Sequence, residues 1–262
     1  MEFEIIDFHT HPFLTSGTNI CSHKDFCNMS AENTKKDLMN LGVSKICGSV
    51  IGLPAGITNK DSAWKRIKAC NDEALILKDM YDGFYIPGFH IHPGYIKESC
   101  EEIERMHNKG VNLVGELVPY YHDWKDYSCK EFSALLDLCG NYNMIVSFHS
   151  MGEDKMDKMV ENHKNVIFVA AHPGEYGEFM RHMERMKKSE NYYLDVSGYG
   201  IHRHGMLRHA LDKFGPERFL FGSDYPTCNP AMYIGGVYFD NLISDREKEM
   251  IFSRNAKRLL NN

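Results

Sequence analysis

Phe3-Glu-Ile-Ile-Asp7-Phe-His9-Thr-His11-Pro12 is the stretch whose reading decides the fold. Apolar and β-branched residues run up to a polar end, the pattern of a strand buried within a sheet. Side chains two apart on a strand point the same way. His9 and His11 therefore aim together at the C-terminal end of this strand, with Asp7 one layer beneath them. An Asp under a histidine pair is placed to hold an imidazole N–H and fix its tautomer. In a doubly wound nucleotide-binding sheet the first strand is followed by a Gly-rich fingerprint; here it is followed by His-Thr-His-Pro.

Outward from that strand the same unit recurs. Apolar runs at Val43–Ile51, Phe84–His90, Val111–Glu116, Met144–His149, Val166–His172, Tyr192–Val196 and Phe219–Asp224 read as strands. Segments of helical period alternate with them: Ala31–Leu41, Trp64–Met80, Lys97–His107, Lys130–Gly140, Lys155–His163, Glu178–Lys188, Met206–Phe214 and Asp245–Leu260. Strands that are apolar on both faces belong to a parallel sheet covered on both sides. Eight such pairs in 262 residues predict a closed (β/α)8 TIM barrel, for which about 250 residues is typical. Residues 1–262 are thus expected to form a single barrel domain. Gly42 and Gly110 stand where helices stop and the chain turns into the next strand. The longest irregular stretches, Thr10–Ser30, Pro119–Ser128 and Tyr225–Ile243, all follow strands, on the face where barrel enzymes build their active sites.

Polar residues cap the apolar runs at that same face. The fourth strand ends in Glu116, the fifth in His149, the sixth in His172 and the eighth in Asp224. With His9 and His11 the set is four imidazoles and two carboxylates, a mixture that suits Zn²⁺, Mn²⁺ or Fe²⁺, whereas Mg²⁺ and Ca²⁺ prefer oxygen alone. Small residues two positions earlier (Ser147, Ala170, Gly222) leave room at the mouth. Around this set, His90 and His92 end the third strand, Tyr120 lies in an aromatic loop after the fourth, and Arg203 follows the seventh. These four are candidate substrate contacts, Arg203 as a two-pronged grip on a carboxylate or phosphate. Each has a structural alternative: a satisfied polar role for the histidines, loop packing for Tyr120 and a solvated helix start for Arg203.

Composition narrows the partners. Hydrophobic content of 43%, charged content of 25% and a net charge of −6 describe an ordinary soluble domain, and without a basic stretch no nucleic-acid partner is expected. No run approaches the roughly 18 apolar residues of a membrane span, and the N-terminus lacks the form of a signal peptide. Eight cysteines at irregular spacing fit reduced thiols in the cytoplasm. The segment Cys21-Ser-His-Lys-Asp-Phe-Cys27 reads more simply as a loop with two free thiols than as a zinc clip. A small-molecule substrate is expected, and self-association into a homo-oligomer is left open.

Asp7-Phe-His9-Thr-His11, His149, His172-Pro-Gly174, Leu220-Phe-Gly-Ser-Asp224-Tyr-Pro226 and the closing Asn255-Ala-Lys-Arg-Leu259 together resemble the amidohydrolase superfamily, most closely its amidohydrolase-related branch. The resemblance runs from residue 3 to residue 259. It implies that His9, His11 and His149 are metal ligands, that Asp224 is a ligand, a general base or both, and that His172 binds a second metal or serves catalysis beside a single one. A carboxylate at the place of Glu116 resembles the binuclear hydrolase and deoxyribonuclease-like branches, where it binds or bridges metal. The alternative for Glu116 is a hydrogen bond to a ligand histidine. The resemblance thus implies one or two divalent ions per chain, zinc first, and no organic cofactor. The expected activity is hydrolysis of a small-molecule amide, ester or lactone by metal-activated water. Three alternatives stay open: a metal-dependent non-oxidative decarboxylase, a phosphoesterase or deoxyribonuclease-like hydrolase, and a non-catalytic ligand-binding barrel.

Overall fold

The computed structural model describes residues 2–15, 29–200 and 202–261, so the Cys21–Cys27 segment lies outside the described residues. Eight strands follow one another around a single parallel sheet in the order β1 to β8. They are β1 (Ile5–Asp7), β2 (Val43–Ser49), β3 (Tyr85–Phe89), β4 (Leu113–Leu117), β5 (Ile145–His149), β6 (Ile167–Ala171), β7 (Tyr192–Asp195) and β8 (Phe219–Leu220). The barrel closes between its first and last strands through Phe8 N–H to Phe221 O at 2.8 Å, Asp224 N–H to His9 O at 2.8 Å and His11 N–H to Tyr225 O at 2.6 Å.

Helices alternate with strands as the periodicity requires: α1 (Ala31–Asn40), α2 (Ala63–Tyr81), α3 (Ile96–Asn108), α4 (Lys130–Asn141), α5 (Glu153–Asn162), α6 (Tyr176–Lys188), α7 (Met206–Phe214) and α8 (Pro230–Tyr238). Helix α9 (Asp245–Glu249) starts at a capping box between Ser244 and Glu247. It runs through one wider π-helical stretch (Met250–Arg254) into α10 (Asn255–Leu260). The apolar core is mainly the layer between sheet and helices, with Phe89, Phe132, Phe148, Phe168 and Phe252 all fully buried. A smaller cluster gathers Cys47, Leu113, Ile145, Val169 and Leu220 from different strands, together with Ala256 and Leu259 of α10. The last helix is thus part of the core that holds the barrel shut, and its polar Asn255 bonds the carbonyls of Pro216 and Phe219 that lead into β8.

Two elements lie inside stretches expected to be irregular. A 3₁₀ turn occupies Pro119–His122, and α8 occupies Pro230–Tyr238, capped by the Asn229 side chain with Pro at its first turn. Among the described residues no helix is long and apolar enough to cross a membrane.

Burial of neutral histidines ties stability to pH. His90 and His182 are fully enclosed, and burial pushes their pKa values down to about 4 and about 3. A group whose folded pKa lies below its unfolded value of about 6.5 contributes stability above that value and loses it as pH falls toward the folded pKa. His182 bonds the Tyr192 hydroxyl through Nδ1 at 2.7 Å, a bond that a glutamine can replace without titrating. Between pH 7 and pH 5 the wild type should lose about 2 kcal/mol through His182 alone, and His182→Gln should lose that much less. Urea unfolding of both proteins at the two pH values checks this, and an unchanged pH slope in His182→Gln would remove His182 from the explanation.

Candidate metal centre

The ends of β1, β4, β5 and β8 and the turn after β6 bring all six expected residues to one place. His9 Nε2 lies 3.1 Å from His11 Nε2. Glu116 Oε2 lies 3.4 Å from the first and 3.2 Å from the second, and Asp224 Oδ1 lies 3.6 Å from each. The other oxygen of Glu116 faces the remaining pair, with Oε1 3.0 Å from His149 Nδ1 and 3.7 Å from His172 Nε2.

Hydrogen bonds on the outer side decide the protonation of the rings. His11 Nδ1 lies 2.9 Å from the carbonyl of Ser49. A carbonyl only accepts, so Nδ1 carries the proton and Nε2 presents a lone pair to the cluster. His9 Nδ1 lies 2.8 Å from Asp195 Oδ2, so it too carries a proton. Two imidazole Nε2 atoms and two carboxylate oxygens thus converge around a place for one positive charge, either a second proton on His9 Nε2 or a metal ion. Such a set calls for a cation. Burial by itself lowers the pKa of His9, but the carboxylates of Asp195 and Glu116 outweigh it and raise that pKa well above the usual value. Burial likewise raises the Glu116 carboxyl, but His9, His11 and His149 outweigh it and pull it well below the ordinary range.

The donor set fits a transition metal in type and, over five of its six donor pairs, in spacing. Four N and O donors about 2.0–2.2 Å from one tetrahedral ion lie about 3.3–3.6 Å apart, and the five separations above run from 3.1 to 3.6 Å. Ligand atoms of His9, His11 and Glu116 form one compact group, those of Glu116, His149 and His172 another and those of His9, His172 and Asp195 a third; Glu116 is common to the first two, and Asp224 is in none of the three.

The backbone is shaped to the site. His172 and Asp224 sit at φ 69° and 59°, left-handed conformations that are uncommon outside glycine, that Asn, Asp and His tolerate best, and that cluster at functional sites. A Cβ at Gly222 would stand 2.7 Å from His9 Cβ and 3.3 Å from Asp195 Cγ and Ser197 Cβ, so glycine there keeps the space in which the His9 ring and its partners meet.

Expectation and structure part at Asp7. It holds no imidazole; it accepts the backbone N–H groups of His9 at 3.2 Å and Ser223 at 2.9 Å, and burial raises its pKa to about 7. The role assigned to it falls to Asp195 at the end of β7. That residue and Ser197 were available to the same two-residue parity in Leu194-Asp195-Val-Ser197.

The four outer residues are placed as follows. Tyr120 is 52% exposed, with its ring 5.4 Å from that of His149. His90 is buried, its Nε2 donating to Val50 O at 2.9 Å, and its ring is 4.6 Å from that of His122. His92 donates to His122 O at 2.8 Å and accepts from Gly94 N–H at 2.9 Å. Arg203 is exposed and paired with Glu175, its Nε 2.6 Å from Oε2.

The amidohydrolase family model Amidohydro_2 matches residues 6–261. The chain belongs to the amidohydrolase family. No curated protein sequence matches this amidohydrolase. Among solved structures, it is similar to 2,6-dihydroxybenzoate decarboxylase from Rhizobium, with a TM-score of 0.75, 14% identity and 99% of each chain covered. It is similar to a dihydroxybenzoic acid decarboxylase from Polaromonas sp. JS666 with bound manganese and the inhibitor 2-nitroresorcinol, at TM-score 0.73, 13% identity and coverage of 99% and 97%. It is also similar to a probable 2-pyrone-4,6-dicarboxylic acid hydrolase from Acinetobacter baumannii with citric acid bound, at TM-score 0.67, 14% identity and coverage of 98% and 99%. At these identities the likeness of this amidohydrolase to each of them is one of fold.

Proposed function

We propose that residues 1–262 act as one metal-dependent hydrolase, cleaving a small-molecule amide, ester or lactone. The observation that carries this reading is the Glu116 carboxylate, which presents one oxygen to His9 and His11 and the other to His149 and His172. His9, His11, Glu116 and Asp224 would hold one divalent ion, and Glu116, His149 and His172 a second, with zinc the first candidate and manganese or iron also suited to the donors. An ion held there supplies Lewis acidity, acidifying a water molecule and polarising a carbonyl.

The protein's own groups do the rest. Asp224, with 10% of its side chain exposed, takes a proton from the attacking water and returns it to the departing nitrogen or oxygen as that bond breaks. Burial lowers the pKa of His172 and keeps its ring neutral, free to bind an ion or accept a hydrogen bond at Nε2. Tyr120 forms part of the mouth beside His149 and is the outer residue best placed to meet substrate.

Metal-dependent decarboxylation is the second reading. The 3.0 Å contact of His149 Nδ1 with Glu116 favours it if Glu116 serves only to orient that ring beside a single ion, and the names of the Rhizobium and Polaromonas neighbours point the same way. Protein loaded with zinc or manganese, assayed against simple amides, esters, lactones and hydroxybenzoates, separates the two. Hydrolytic turnover without release of carbon dioxide is the expected outcome. Release of carbon dioxide from a carboxylate with no hydrolysis would replace this reading with the second.

A further inference from the structure

We propose that Ser197 and Gly198 form a positioning device that commits His172 to the tautomer with its proton on Nδ1 and its Nε2 lone pair turned toward Glu116. Ser197 Oγ lies 2.5 Å from Asp195 Oδ1, 3.0 Å from His9 Nδ1 and 3.0 Å from His172 Nδ1. A hydroxyl has one proton and two lone pairs. The carboxylate can only accept, so the hydroxyl proton goes to Asp195. Both lone pairs remain for the two rings, and each Nδ1 must then donate. His9 Nδ1–H is shared between this oxygen and Asp195 Oδ2 at 2.8 Å, whereas Ser197 Oγ is the one hydrogen-bond partner of the His172 Nδ1 among the described residues.

The next residue completes the device. Gly198 has φ 60°, and a Cβ there would stand 2.2 Å from His172 Nδ1, so no other residue leaves the ring its place. Its carbonyl is held by the Tyr233 hydroxyl at 2.8 Å, which ties the cradle to α8. The His172 backbone N–H reaches Asp195 Oδ1 at 3.3 Å. One hydroxyl at the end of β7 thereby couples the ring facing Glu116 Oε2 to the ring facing Glu116 Oε1.

This arrangement gives an asymmetric expectation. Without the hydroxyl, His9 keeps its carboxylate partner and His172 keeps none on its outer side. Ser197 acts through His172 and is a positioning residue, and its consequence for metal binding rests on the function proposed above.

Histidine ¹⁵N NMR on the metal-free protein tests the tautomer without reference to activity. The expected wild-type result is a single His172 form protonated at Nδ1. In Ser197→Ala, His172 should become a mixture of tautomers while His9 stays protonated at Nδ1. A wild-type His172 protonated at Nε2 would overturn the proposal, and so would a Ser197→Ala spectrum in which His172 is unchanged. The wild-type arm needs no variant to fold. Chelator competition with zinc supplies the second readout: Ser197→Ala should weaken the ion held by Glu116, His149 and His172 about 10–100-fold and leave the one held by His9, His11, Glu116 and Asp224 in place. If zinc fails to bind the wild type at all, the hydrolase reading falls while the tautomer result stands on its own.

Discussion

Asp224→Asn should reduce turnover by roughly 100- to 10,000-fold, the range general acid–base catalysis contributes, with the barrel intact. The substitution is chosen for the backbone. Asp224 sits at φ 59°, where asparagine is at ease and most other residues are strained, so the change removes the charge and the proton-accepting oxygen with little strain added. Its N–H still reaches His9 O and its carbonyl still accepts from Cys228 N–H. Turnover on a substrate from the hydrolase panel, measured beside urea unfolding, checks this. Unfolding free energy should stay within about 1 kcal/mol of wild type, as for substitutions that create no cavity or buried unpaired charge. A variant that keeps full activity would take Asp224 out of the chemistry.

Asp195→Asn should weaken metal binding about 10–100-fold, the usual cost of losing a partner behind a ligand, although the residue touches no proposed ion. Asp195 Oδ1 already accepts from Ser197 N–H, Ser197 Oγ and His172 N–H. The single oxygen of an asparagine will stay with those three donors. Its NH₂ group then faces His9 Nδ1, where Oδ2 stood at 2.8 Å. Two donors cannot share that contact, so the His9 Nδ1–H is left with Ser197 Oγ as its acceptor, and the hold on the tautomer that presents Nε2 to His11, Glu116 and Asp224 weakens. Competition against a chromogenic chelator reads the affinity directly. Wild-type affinity in Asp195→Asn would mean that the outer hydrogen bond does not set the tautomer.

The barrel was legible because each strand is apolar on both faces, and most of them end in a residue that has no business in a core. His9, His11, Glu116, His149, His172 and Asp224 stood out by that contrast alone, and the structure brings them together. Asp195 was harder to see. It and Asp7 both lie on strands that meet at the same face, and which one reaches His9 depends on how the barrel closes. The hydrogen bonds joining β1 to the chain after β8 set that geometry, and they are long-range. Helix α8 was missed because Pro230-Ala-Met-Tyr-Ile-Gly-Gly-Val-Tyr238 has two glycines and no polar stripe. Its Asn229-Pro230 start was a usable signal. The depth of His90 could not be read locally either, since the 3₁₀ turn ending at His122 is what packs against it.

Counting bound metal in wild type and Glu116→Ala, after zinc or manganese loading and removal of free ion, tests the role of this carboxylate most directly. About two ions per chain, falling to one or fewer in the variant, is the expected result, as for a carboxylate shared by both positions of a two-metal site. No ion retained by the wild type, or the same count in both proteins, would contradict it.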